Sequence, residues 1–179
     1  MNNTQTYTNE SPEVVNCLKW LGDMFDLSSQ YNILMECISD ICSGQFDGWI
    51  WHGEGNNGKS SFRKFLMNHI CPNARMSTAY MNDLPSGIYF IEEPEDDFDF
   101  EHVVAKQRIY ITNRIPQHIP PNLKILRFKR IHAIDGYFNA DQHADAFRWL
   151  YKQYIINMQQ LHNSDGLLTA LLEEITSDS

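Results

Sequence analysis

Gly48-Trp49-Ile50-Trp51-His52-Gly53-Glu54-Gly55-Asn56-Asn57-Gly58-Lys59-Ser60 is the stretch that decides the fold. Its first part is a short apolar run, Trp49 to Trp51, bounded by Gly48 and Gly53, which suits a buried strand better than a helix. Its second part, Gly53 through Ser60, fits G-x-x-x-x-G-K-[ST] at every specified position. Glycines at these places let the backbone wind so that successive N–H groups converge on phosphate oxygens, and a following helix N-terminus adds partial positive charge. In that reading Gly53, Glu54, Gly55, Asn56, Asn57, Gly58, Lys59, Ser60 and Ser61 cradle a nucleotide's phosphate chain. Lys59 reaches the β and γ phosphates and the Ser60 hydroxyl ligates Mg²⁺. The bland alternative is a glycine-rich turn. The required context is present, because Lys59 to Ile70 reads as a helix ended by Cys71-Pro72.

Downstream, two compact apolar runs, Ile88 to Ile91 and Ile109 to Thr112, read as buried parallel strands, and Leu123 to Ile131 as a longer one. The first ends in Glu92-Glu93. A carboxylate at such a strand end can hold Mg²⁺, and a second can polarise an attacking water, which makes Glu92 a metal and catalytic candidate and Glu93 a catalytic one. The competing reading is a solvated acidic loop, since seven acids fall between Glu92 and Glu101. The second run ends at Asn113, whose carboxamide can donate to a γ phosphate or orient water; Asn after a strand is also a common turn former.

Upstream, Pro12 suits a first helical position with Ser11 as its cap. Val14, Val15, Leu18, Leu21 and Phe25 recur at helical spacing. A second helix from about Ser29 to Ser43 stops at Gly44. Beyond the strands a long helix is expected from about Asp141 to Leu161 and a short last one from Gly166 to Ile175. Alternating strands and helices point to an α/β sheet. The expected divisions are a flexible leader over 1–11, a helical segment over 12–45, the core over 46–135 and C-terminal helices over 136–179.

With 179 residues there is room for one domain, and 42% apolar residues supply a core. The net charge of -9 excludes a nonspecific nucleic-acid coat, because such affinity comes from Lys and Arg replacing counterions. Along the chain the charge is polarised: residues 102 to 134 hold seven basic residues and no acid. That segment could meet a nucleic-acid strand or a neighbour's acidic loop. Nearby Tyr110, Phe128, Tyr137 and Phe138 could stack on bases, although aromatics in strands are more often core. Cys17, Cys37, Cys42 and Cys71 lack metal-ligand spacing and read as buried free thiols. The polar N-terminus and the lack of a long apolar stretch suggest an intracellular soluble protein without a membrane role, in the host cytoplasm or nucleus if viral.

Taken in order, GEGNNGKSSF (Gly53 to Phe62), FIEEPE (Phe90 to Glu95) and ITNRIP (Ile111 to Pro116) resemble the superfamily 3 helicases of viruses, phages and plasmids. The likeness is nearest the poxvirus-like and phage/plasmid primase-helicase branch and covers about residues 30 to 135. The resemblance implies an AAA+-like P-loop NTPase fold, a parallel sheet flanked by helices with a small N-terminal helical piece for oligomerisation. It also implies Mg²⁺-ATP bound between subunits of a hexamer-like ring, DNA and other replication proteins as partners, and an arginine finger from the neighbour. Arg127 is the first candidate for that finger, with Arg130 and Arg114 behind it; a guanidinium suits the task because its fork matches charge developing on the transferred phosphoryl group. The chain departs from the family between Pro94 and Arg108, which is short for a DNA-tracking hairpin and offers only His102 and Lys106. It also lacks room for a primase or origin-nicking domain. A nucleotide-switched assembly or scaffold ATPase is therefore the rival, and a small P-loop kinase is disfavoured because no Arg-rich lid follows the phosphate helix.

Overall fold

A computed structural model of the chain describes residues 6–55, 58–77, 84–92, 100, 106–115, 117–129 and 137–177. Helix α1 spans Pro12–Met24, with Pro12 in its first turn. The Ser11 hydroxyl does not cap it; that oxygen instead accepts the Thr8 N–H at 2.8 Å, while the Ser11 carbonyl takes the first helical bond from Val15. Helix α2 spans Leu27–Ser43 and begins two residues before the expected start, because Asp26 caps it and accepts from the Ser28 N–H and hydroxyl. Gly44 closes it in the left-handed region at φ 67°.

Strand β1 is Gly48–His52, followed by the glycine-rich loop and helix α3, Lys59–His69. Strand β2, Arg75–Ser77, was not anticipated; it is three residues long and has no apolar run to announce it. Strands β3 (Tyr89–Glu92), β4 (Arg108–Thr112) and β5 (Leu123–Arg127) follow. The expected longer strand stops at Arg127 because the chain then bonds elsewhere. The Phe128 N–H still donates to the His52 carbonyl, but the Lys129 N–H donates to the Met24 carbonyl at the end of α1. A 3-10 segment, Tyr137–His143, leads into helix α4, Ala144–Ser177. The two expected C-terminal helices are thus one. The helix runs through the polar stretch that looked like a break, and within it Ser164 and Thr169 turn their hydroxyls back onto the carbonyls of Gln160 and Asp165.

The five strands form one parallel sheet in the order β2-β3-β4-β1-β5. Side chains alternate across it, and the two faces differ. Trp49, Trp51, Phe90, Ile109, Ile111 and Leu126 pack with the buried faces of all four α-helices. Ile50, Tyr89, Ile91, Tyr110 and Leu123 form a smaller cluster on the other face, joined by Leu84, Phe100, Ile119 and Ile125. Aromatic rings fill the helical side: Trp51 lies 5.7 Å from Phe62 and 5.1 Å from Phe90, and Phe25 lies 4.5 Å from Phe128. Tyr110 and Phe128 are therefore core and have no face free for a base. Residues 6–11, read as a leader, include Tyr7, whose ring lies 6.3 Å from Trp149. No helix of the described residues is long and apolar enough to cross a membrane.

At Gly48 the neighbouring strands approach closely. A Cβ there would stand 2.5 Å from Leu123 Cδ2 and 3.2 Å from the Arg108 carbonyl oxygen, its neighbours on β5 and β4.

Candidate functional site

The parallel register brings separate parts of the sequence to one end of the sheet. His52 pairs with Thr112 and with Arg127, and Glu92 with Ile111, so β1, β3, β4 and β5 finish side by side. In parallel α/β sheets this carboxyl end is where ligands bind. Because β4 lies between β1 and β3, Asn113 emerges between the glycine-rich loop and Glu92.

The loop is held by its own backbone. The Gly53 N–H donates to the Thr112 carbonyl at 3.3 Å and the Gly55 N–H to the Gly53 carbonyl at 2.9 Å. Gly55 and Gly58 have φ of 79° and 75°, values that strain a residue with a Cβ. Gly58 caps α3, and its carbonyl accepts the Phe62 N–H. The first-turn amides of a helix have no acceptor within the helix, so α3 presents donors and its positive dipole end to the loop. Ser60 is exposed on that turn and Ser61 half-buried, while Glu54 is exposed. Asn56 and Asn57 lie outside the described residues.

Lys59 is buried, and its ammonium bridges the loop to β4: Nζ donates to the Gly53 carbonyl at 2.6 Å and to Asn113 Oδ1 at 2.8 Å. The carboxamide of Asn113 thereby turns its oxygen to the lysine. Thr112 stiffens the same turn, since its hydroxyl donates to the Arg114 carbonyl and accepts the Arg114 N–H, each at 3.1 Å.

Glu92 is bound from an unexpected direction. Arg63, one turn after Lys59 on α3, donates from Nε to Glu92 Oε1 at 2.9 Å; the side chains are 7% and 25% exposed. Arg63 also donates from a terminal nitrogen to Met67 Sδ at 3.6 Å. One carboxylate oxygen is thus fixed by a buried guanidinium. Glu93 and Arg130 lie outside the described residues, as does His102.

His52 was also missed. It closes β1, is half-buried and has its pKa lowered, first by burial and then by the positive charges of Arg127 and Lys59, against the opposing pull of Glu54. The parallel pairing of His52 with Arg127 sets Arg127 beside the end of β1 from which the loop departs. The Arg127 side chain is exposed and its N–H donates to Gln30 Oε1.

Much of the basic segment is committed internally. Arg108 is buried at the opposite end of the sheet, donating to the carbonyls of Gly87 and Lys106. Lys124 bonds Glu36 at 2.5 Å and Asp40 at 3.1 Å on α2, and Lys106 lies 3.7 Å from Asp47.

Neither the known family models nor the curated proteins match this chain significantly. Among the described residues no group of three or more His, Cys, Asp and Glu side chains is placed to hold a metal. A nucleotide's Mg²⁺ needs no such cage, because it keeps waters and phosphate oxygens and takes one or two protein ligands. Ser60 on the first turn of α3 and Glu92 at the end of β3 are the oxygen-bearing side chains expected to serve it.

Proposed function

We propose that this chain is an ATP-hydrolysing domain of the superfamily 3 helicase type, an AAA+-like P-loop ATPase that works as a homo-oligomeric ring in the replication of a virus or mobile element. The observation that carries the ATPase reading is the Lys59 bridge. A buried ammonium joins the glycine-rich loop to Asn113 on the strand inserted beside β1, and phosphate oxygens can take over those bonds. A buried ammonium beside the loop attracts an anionic ligand, since low dielectric magnifies the attraction.

In this mechanism the loop amides and the first turn of α3 bind and orient the phosphate chain. Mg²⁺, when bound, neutralises charge on the β and γ oxygens. Ser60 and Glu92 would hold that ion, and Arg63 keeps the Glu92 carboxylate in one orientation. Glu93 accepts the proton of the attacking water. Asn113, once Lys59 turns to phosphate, aims its carboxamide at the γ phosphate. Arg127 adds positive charge at the rim, over its own loop or in the site of an adjoining copy, with Arg130 and Arg114 behind it in rank.

Replacing Lys59 tests this reading. Lys59→Ala is expected to abolish ATP hydrolysis while circular dichroism and the melting transition stay those of a folded protein. Turnover that persists in the folded variant overturns the site assignment.

A second reading, a nucleotide-switched scaffold ATPase without motor activity, is favoured by the internal use of Arg108, which is buried, and of Lys124, which is held by two carboxylates of α2; both are cations that a strand-contacting surface would need. Strand displacement at low salt separates the two: unwinding supports the helicase, and nucleotide-dependent change in mass without unwinding supports the scaffold.

A further inference from the structure

Three of the four cysteines are buried as expected, but Cys42 is exposed at the last turn of α2. Its Sγ lies 3.6 Å from Sγ of Cys71, which follows α3 and is 5% exposed. Cys71 is held in place by its backbone, the N–H donating to Leu66 and the carbonyl accepting from Ala74. Cys17 and Cys37 differ: both are fully buried, with Cys17 facing the His143 carbonyl and Cys37 accepting the Trp51 indole N–H.

We propose that Cys42 and Cys71 form a peroxide-reactive dithiol site, in which Cys42 is oxidised and Cys71 resolves it to a disulfide. The geometry divides the roles, since only Cys42 is open to an oxidant and Cys71 sits behind it within a short side-chain movement of bonding distance. The electrostatics agree. The Cys42 thiol is drawn down to about 7, chiefly by the hydrogen bond from Cys71 and also by that from Tyr151, whereas Cys71 is pushed upward by its bond to Cys42 and by burial. The lower thiol is the better nucleophile at neutral pH.

The Cys42 thiolate attacks one oxygen of a hydroperoxide such as hydrogen peroxide; the O–O bond breaks, giving Cys42 sulfenic acid and hydroxide, which takes up the proton Cys42 released. Cys71 Sγ then attacks the sulfenic sulfur, the S–S bond forms, and the Cys71 proton leaves with the hydroxyl as water. Two thiols lose two electrons, and the peroxide becomes two waters. The new bond ties the end of α2 to the end of α3. Between these cysteines in the sequence lie β1, the Gly53 to Ser60 loop and α3, so oxidation encloses the whole loop-bearing unit in one covalent ring.

Treating the full chain with hydrogen peroxide and mapping non-reduced peptides by mass tests this. The expected product is a Cys42–Cys71 linked peptide, reversed by dithiothreitol, with a melting temperature higher by roughly 10 °C than that of the reduced protein. Cys42→Ser is expected to give no linked peptide and to leave Cys71 unoxidised. Cys71→Ala is expected to drive Cys42 on to sulfinic acid. If Cys71→Ala does not fold, the wild-type map and Cys42→Ser decide alone. The proposal is overturned if wild-type Cys42 accumulates as sulfinic acid beside free Cys71, if it pairs between chains, or if neither sulfur reacts.

Discussion

Arg63 and Glu92 carry the most testable pairing at the level of single residues. Removing one partner of a mostly buried ion pair leaves the other charge without compensation, at a cost of about 3 kcal/mol when burial is complete and less where water reaches one side. Glu92 is 25% exposed, so Arg63→Met is expected to lower stability by roughly 2 kcal/mol in urea titration. Adding Glu92→Gln should recover part of that loss, because the stranded charge is gone. Additive losses in the double variant would mean that the two side chains do not interact energetically. The pair could not be read from the sequence. Arg63 precedes Lys64 on an amphipathic helix and looks like one more solvated base, and its partner lies on a strand whose position relative to α3 is fixed only by the assembled sheet. His52 was hidden for a similar reason: its charged neighbours come from β5 and α3. By contrast Lys59, Ser60 and Asn113 stood out because each follows or sits in a locally recognisable pattern.

Among the elements, β1 is paired along its whole length on both edges, with β4 and with β5. Gly48→Ala is expected to destabilise the protein by about 1 to 3 kcal/mol through overpacking against Leu123 and the Arg108 carbonyl. The same substitution in a Leu123→Ala background should cost less relative to that background; an equal cost in both would place the strain on the backbone contact alone. Most elements were legible from apolar runs and breakers, as with Pro12, Gly44 and Cys71-Pro72. The failures have physical causes. β2 has two exposed residues of three and thus no hydrophobic signature, β5 was cut short by the Lys129 to Met24 bond, and α4 continued through Ser164-Asp165-Gly166 because a single glycine among polar residues is tolerated inside a helix. Strand order was not readable either, as periodicity reports burial but not which strand is the neighbour.

The whole molecule should lose stability as the solution turns mildly acidic. His52 and His143 both have pKa values held below 6.5, His143 by burial against the Trp20 ring, 4.9 Å away, and His52 by burial and then by Arg127 and Lys59. The unfolded chain therefore binds protons first. The stability due to the neutral imidazoles is complete above about pH 6.5 and declines as pH falls through the lowered folded values. Melting temperature should fall between pH 7 and pH 5, and His143→Gln should flatten that slope. An unchanged slope in the folded variant would show that His143 is not a source of it.

The inserted position of β4 also governs when the sheet can close. Gly48 to His52 find both of their hydrogen-bonding neighbours only in residues 108–112 and 123–127. During synthesis the run Trp49-Ile50-Trp51 therefore leaves the ribosome long before either edge of its strand can be paired. Pairings so distant in sequence make for slow folding. Helices α1 and α2, which precede β1 in the chain and share the core with Trp49 and Trp51, offer that run cover before the sheet exists.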